Sequence, residues 1–276
     1  MMFQNRTMML WGKLASFLAV DVLVSVWANL SFFSHYGNEK IRFTLLIFYT
    51  SSVWALYLAD HLWDALREKE TLSERGSFYL RFRHWIVSFL IFLTLVSFFV
   101  GFYFEFLFLT GNLLLLLSFV FSIGLIVSHL SPIPKEILVS GFYVLGVIAP
   151  FGSFGGWDPM VWIFFIHVFA NVLLTYNTDR EFDLVQNTFT LTQVLDPKKL
   201  KVLVLCLLGM GFCFLMAQRI WGNLSELYFL GMGSAYLWLG VCHFVKMEGF
   251  RFKSLCELSY LPLFLPQIVF FFSLLP

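Results

Sequence analysis

The sequence predicts an all-α, polytopic membrane bundle of nine spanning helices, and three observations predict it. The 276-residue chain is 59% hydrophobic and only 13% charged, with mean hydropathy +0.82; soluble domains carry about 25% charged residues. Apolar stretches near 20 residues recur along its length, and about that many residues cross a bilayer as a helix. The basic residues gather in alternate connections, the asymmetry expected of a polytopic protein. The net charge of +1 gives no electrostatic footprint for nucleic acid.

The nine segments are about 10–33, 43–64, 85–104, 106–130, 136–154, 160–178, 200–220, 224–245 and 255–275. The first is too long for a secretion-signal core, and no small-residue cleavage site follows it, so it reads as a retained helix. The third and fourth are parted only near Glu105. The turn-rich run GSFGGWDP at 152–159 parts the fifth from the sixth. Trp11, Trp85, Trp157 and Trp221 fall near segment ends and read as interfacial anchors. Cys206, Cys213, Cys242 and Cys256 show no C-x-x-C spacing and read as small buried hydrophobes. The whole chain, 1–276, reads as one membrane-embedded domain.

Fifteen of the eighteen basic residues fall in the N-terminal region and after segments two, four, six and eight; Lys40, Arg42 and Arg219 fall on the other side. The positive-inside rule then expects a cytoplasmic N-terminus and an outer C-terminus. It also expects the ends of segments two and six, and Lys135 after segment four, on the cytoplasmic side.

Those two ends carry the most informative residues: Asp60 and Asp64 close segment two, and Asp179 and Asp183 close segment six. Positions i and i+4 share a helix face, so each D-x-x-x-D pair aims both carboxylates one way. Like charges at that spacing disfavour an empty helix, and a bound cation reverses the sign. Mg²⁺ prefers oxygen ligands and is usually held by one or two carboxylates plus substrate phosphates. Asn171, Thr175, Asp179 and Asp183 recur every four residues, with His167 one turn deeper, and Tyr57 lies one turn before Asp60. Both stripes read as polar walls opening to the cytoplasm. The plain alternative is solvated juxtamembrane charge beside Arg67 and Arg180.

The surrounding residues resemble a family. Tyr57-Leu58-Ala59-Asp60-His61-Leu62-Trp63-Asp64 is similar to the first acidic motif of the UbiA superfamily of intramembrane prenyltransferases, in its variant Y-x-x-D-R-x-x-D. Asp179-Arg180-Glu181-Phe182-Asp183 resembles the second motif. Ser131-Pro132-Ile133-Pro134-Lys135 resembles the lysine-bearing segment between helices four and five. The resemblance implies a UbiA-like, Mg²⁺-dependent enzyme that moves an isoprenyl group from its diphosphate to a lipophilic, often aromatic acceptor. Asp60, Asp64, Asp179 and Asp183 would hold the metal. Lys135 and Arg180 would add positive charge to the diphosphate. Tyr57, Asn171 and Thr175 would line the substrate cavity. Leu56 and Tyr57 stand where the fuller motif has Asn and Asp, His61 where the variant has Arg, and Asn187 where some members carry a third acid. Two other classes compete: a family-derived binding or assembly protein without turnover, and a small transporter. A bacterial cytoplasmic membrane is the expected location, because the loops are short and no transit peptide is apparent.

Asp21, about eleven residues into segment one, reads either as an intramembrane functional acid or as a partner of Ser25 or Asn29 on its own face. His129 and His167 read as structural histidines. His61 falls on a different face from both acids of its pair and is not a ligand candidate. The charged loop 67–83 reads as a solvated loop or as a cap over the diphosphate site.

Overall fold

A computed structural model describes residues 12–67, 73–152, 154, 158–178, 180, 189–245 and 249–273. Helix follows helix, and the described residues contain no strand. In lipid a backbone must satisfy its own hydrogen bonds, which a helix does within one segment. Among the described residues, six helices are long and apolar enough to cross a membrane: Phe43–Arg67, Arg83–Tyr103, Pro159–Asn177, Pro197–Trp221, Glu226–Phe244 and Arg251–Ser273. The chain is an integral membrane protein by this measure.

The other three apolar segments are shorter or interrupted. A helix over residues 12–17 stops at Ala19, whose φ of 54° is left-handed. That conformation costs a residue with a Cβ roughly 1–2 kcal/mol. Helix α1 (Val20–Tyr36) restarts beyond it. The break puts Asp21 in the first turn of α1, where the helix dipole favours an acid. Its carboxylate accepts the Val22 N–H at 3.0 Å, and the Ser25 hydroxyl donates to the Asp21 carbonyl. Segment four is divided at Asn112 into α5 (Phe106–Gly111) and α6 (Leu113–Val127), and segment five is the fourteen-residue α7 (Lys135–Ile148). The boundary near Glu105 is as expected: α4 (Arg83–Tyr103) ends just before it and α5 begins just after.

The described chain divides into two compact units, residues 12–26 with 41–111 and residues 27–40 with 112–273. In the first, α2 (Phe43–Arg67) packs along α4, and the short α3 (Glu74–Arg81) lies on α2. Leu58, Ala65, Tyr79, Ile86 and Leu93 form its core. The Trp54 indole donates to the Leu18 carbonyl at 2.7 Å, tying residues 12–18 to this unit. At the far end of α2 the buried Glu105 pairs with Arg42 and accepts from the Thr44 hydroxyl.

In the second unit, α8 (Pro159–Asn177) is the central element. It starts at Asp158, whose side chain caps the Met160 N–H, with Pro159 in the first turn. Ile163, Phe164, Ala170 and Leu173 are fully buried, packed by α7 and α10 (Pro197–Trp221). Between α8 and α10 stands the short α9 (Leu191–Val194). α11 (Glu226–Phe244) packs on α10 and on the C-terminal segment. That segment comprises α12 (Gly249–Glu257), a 3₁₀ stretch (Leu258–Phe264) containing Pro262, and α13 (Leu265–Ser273). The proline, which lacks an N–H, sits where the helix tightens.

The exteriors are apolar. Phe92, Leu95, Phe98, Phe99 and Phe102 on α4 and Leu114, Leu117, Val120 and Phe121 on α6 are exposed, as lipid-facing surfaces must be. Trp85 and Trp221 are exposed at helix ends; Trp11 and Trp157 lie outside the described residues. Cys242 and Cys256 are buried as expected, whereas Cys206 and Cys213 are exposed on the apolar surface of α10.

One close approach is testable. Gly211 of α10 faces the ring of Tyr236 on α11, and a Cβ there would overlap the phenol. The phenol cannot swing away freely, because it is buried and donates to the Ile163 carbonyl at 2.6 Å. Small residues permit such contacts between membrane helices. Gly211→Ala is expected to destabilise the protein by about 1–3 kcal/mol, read as a lower thermal midpoint in detergent. An unchanged midpoint would contradict this packing.

Candidate functional site

The first acidic pair stands in the last two turns of α2. Asp60 is exposed and the Asp64 side chain is 23% exposed. Two features set the electrostatics. Both carboxylates share a face four residues apart, where like charges repel. Asp64 lies in the last turn of α2, where the helix dipole favours cations. Each feature favours a cation beside these acids.

Two guanidinium groups lie in the same region. Arg67 covers the Trp63 ring, 4.5 Å from its centroid, a cation–π contact. Arg75, on α3, places one guanidinium nitrogen 3.1 Å from His61 Nε2 and the other 3.9 Å from an Asp64 oxygen. Loop 67–83 is thus partly a helix laid on the motif, with its N-terminus capped by Ser73, which accepts the Gly76 N–H. Residues 68–72 lie outside the described residues.

A directional chain fixes His61. Arginine only donates, so Nε2 accepts from Arg75. The remaining ring proton is then on Nδ1, 3.2 Å from the Tyr79 hydroxyl oxygen. Tyr79 gives its own proton to the Phe17 carbonyl at 2.7 Å. Burial pushes the Tyr79 phenol well above its ordinary value, so it remains a donor. His61 therefore faces α3 and orients Arg75, consistent with its place off the acidic face. Tyr57 packs edge-on to His61, with ring centroids 6.3 Å apart.

Asp179 and Asp183 lie outside the described residues. The stripe that leads to them does not. Asn171 is buried and donates to the Cys256 carbonyl at 3.5 Å; among the described residues its own amide oxygen meets no hydrogen-bond donor. Thr175 donates back to the carbonyls of Asn171 and Val172. His167, one turn deeper, is fully buried between the rings of Tyr236 and Tyr260, each 5.1 Å away. The Ala235 carbonyl is near, but among the described residues neither ring nitrogen makes a well-aligned hydrogen bond. Arg180 donates to the Leu195 carbonyl at 2.8 Å.

Lys135 opens α7, and its ammonium lies over the Tyr176 ring, 5.1 Å from the centroid. Tyr176 is in the last turn of α8, three residues before Asp179. The lysine and the approach to the second acidic pair are therefore neighbours in the second unit.

Glu136 was unremarked in the sequence beyond opening an apolar segment. It is fully buried and accepts the N–H groups of Leu191 and Thr192 at 2.9 and 3.1 Å. These amides begin α9, and orphan N–H groups at a helix start need such an acceptor. The Lys135 N–H donates to the Phe189 carbonyl alongside. Glu136 thereby fixes the start of α9; residues 181–188 lie outside the described residues. An acid entering an apolar helix beside a proline was its visible signal.

Among the described residues no three His, Cys, Asp or Glu side chains gather as a metal cluster. Asp60 and Asp64 supply two oxygen ligands on one face, a set suited to Mg²⁺ completed by water and phosphate oxygens. A scan of protein-family models and searches of curated proteins and of solved structures find no match to this chain.

Glu136→Ala would leave two N–H groups at the start of α9, one of them buried, without their acceptor. The expected cost to the local fold is on the order of 2 kcal/mol, read as faster hydrogen exchange of Leu191 and Thr192. Unchanged protection there would remove the anchoring role.

Proposed function

We propose that this chain is a UbiA-like prenyltransferase of nine membrane helices that moves an isoprenyl group from a prenyl diphosphate to a lipophilic acceptor. The observation that carries the reading is the first D-x-x-x-D pair. Two carboxylates share one face at the C-terminal end of an apolar helix, and their helix position and mutual repulsion favour a cation. The Lys135–Tyr176 contact supports it, because it sets a cation beside the approach to the second pair. The alternation of basic charge supports a cytoplasmic site and an outer C-terminus; short loops favour a bacterial membrane.

The proposed chemistry is ionisation followed by capture. Asp60, Asp64, Asp179 and Asp183 would hold Mg²⁺, which neutralises the departing diphosphate. Lys135 adds a charge-assisted donor to the same group. The allylic C–O bond breaks and its electron pair leaves with the diphosphate. An acceptor carbon supplies the pair for the new C–C bond, and the acceptor then loses a proton. Apolar walls keep water from the cation, and tyrosine faces stabilise it.

A second reading has its own observation. Leu56, where the fuller motif carries an Asn, is 45% exposed and apolar. A chain with fewer ligands would bind a Mg²⁺–diphosphate without turning it over.

The test is Mg²⁺-dependent release of inorganic diphosphate by purified protein in detergent, from prenyl diphosphates of several lengths with a membrane lipid extract as acceptor pool. Chelation by EDTA, Asp60→Asn and Asp183→Asn are each expected to abolish release while the protein stays folded. Release that survives both substitutions would overturn the metal assignment. Mg²⁺-dependent binding without release would select the second reading.

A further inference from the structure

Arg75 is placed for a role that the acidic motif alone does not supply. Its guanidinium is held by His61 at 3.1 Å on one nitrogen, while the other stands 3.9 Å from Asp64. That second separation is beyond a direct hydrogen bond, so the donors on this side are not spent on the carboxylate. The side chain is 24% exposed, neither locked in the core nor loose in solvent. His61 in turn is held by Tyr79, and Tyr79 by the Phe17 carbonyl. The anchored side of the fork is thus built from a buried chain of hydrogen bonds, and the other side faces the acids.

A planar fork with two parallel donors matches the oxygens of a phosphate group better than a point charge does. A cation on Asp60 and Asp64 would take over the charge balance that Arg75 now gives Asp64. The same cation would bring phosphate oxygens to the open side of the fork.

We propose that Arg75 is a diphosphate ligand held in reserve, parked on His61 against Asp64 and transferred to the phosphate oxygens when a cation–diphosphate occupies the first acidic pair. This rests on the diphosphate reading above. Arg75 is the positioning cation that α3 contributes, and α3 is the element that brings it over the motif. The ligand class is a diphosphate ester with its divalent cation. No bond is made or broken in the transfer; one ion pair is exchanged for another.

The role predicts opposite signs for two affinities. Removing Arg75 takes a positive charge away from Asp64, so a divalent cation alone binds equally well or more tightly. Removing it also takes away a charge-assisted donor, so the diphosphate binds more weakly, by about tenfold or more. An ordinary structural ion pair would not divide the two.

The experiment uses full-length protein in detergent. Mn²⁺ binding is followed by electron paramagnetic resonance, and binding of farnesyl S-thiolodiphosphate, which resists ionisation, by calorimetry with Mg²⁺ present. Arg75→Gln is expected to keep or strengthen Mn²⁺ binding and to lose at least about tenfold in affinity for the analogue. Arg75→Lys is expected to recover part of that loss, and the thermal midpoint to stay near that of the unsubstituted protein. If Arg75→Gln binds the analogue as tightly as the unsubstituted protein, the proposal falls, and the diphosphate reading stands provided Asp60→Asn has lost binding. If the midpoint and both affinities fall together, Arg75 is structural and the proposal falls. If the unsubstituted protein binds Mn²⁺ but no analogue, the diphosphate reading falls and takes this role with it.

Discussion

Two carboxylates at the C-terminal end of an apolar helix are an electrostatic problem, and much of the first unit is arranged around it. Asp60 and Asp64 repel each other, and α2 turns its negative end toward them. Solvent exposure relieves Asp60. Asp64 is relieved in part by Arg75, which is there because α3 is laid on α2 by Tyr79, Leu58 and Ala65. Tyr79 joins the two layers. It is a fully buried aromatic, a hydrogen-bond partner of His61 and a donor to the Phe17 carbonyl. Packing, polar satisfaction and placement of the charge are therefore the work of one side chain.

The second unit meets the cost of polar groups in a different way. Among its described residues, two acids stand at helix starts. Glu136 turns to the first amides of α9, and Asp158 caps α8. Helix termini present N–H groups that need acceptors, so an acid there replaces lost water with fixed donors. Neutral polar groups occupy the middle of α8. Asn171 reaches the carbonyl freed near the junction of α12 with the 3₁₀ stretch, and His167 is enclosed by tyrosine rings. A hydroxyl such as that of Thr175 returns to its own helix backbone, the common resort of threonine within a helix.

Much of this was legible in the sequence, and the exceptions have physical causes. Composition and segment length identify a membrane protein, because lipid demands long apolar helices. The four-residue period on α2 puts Asp60 and Asp64 on one face, and His61 turns instead to Tyr79 and Arg75. The break at Ala19 was not legible: nothing in an alanine among apolar residues signals a left-handed turn, which arises from packing. Asp21 changed meaning with it, from a mid-span acid to a helix-start residue. The division at Asn112 has a weak signal, a Gly-Asn pair inside an apolar run. Arg75 and Glu136 were missed as partners because their contacts join residues far apart in sequence, fourteen positions for His61 and fifty-five for Leu191. Helical periodicity carries no information about such pairs.

Two ion pairs in the first unit show how placement decides what a charge does. Glu105 is fully buried, and Arg42 and the Thr44 hydroxyl meet it. A buried carboxylate that loses its partner keeps its desolvation cost, so Glu105 holds Arg42 although that arginine is 58% exposed. Asp64 and Arg75 are each about a quarter exposed and stand 3.9 Å apart. Water screens such a pair, and pairs of this kind contribute roughly 0–1 kcal/mol. A weak pair next to a motif that favours a cation can be exchanged at little cost to stability. The pair with the buried carboxylate lies at the opposite end of α2, away from the acids. The two ends of α2 therefore differ: a buried carboxylate stands beside its start, and a part-exposed pair beside its acids.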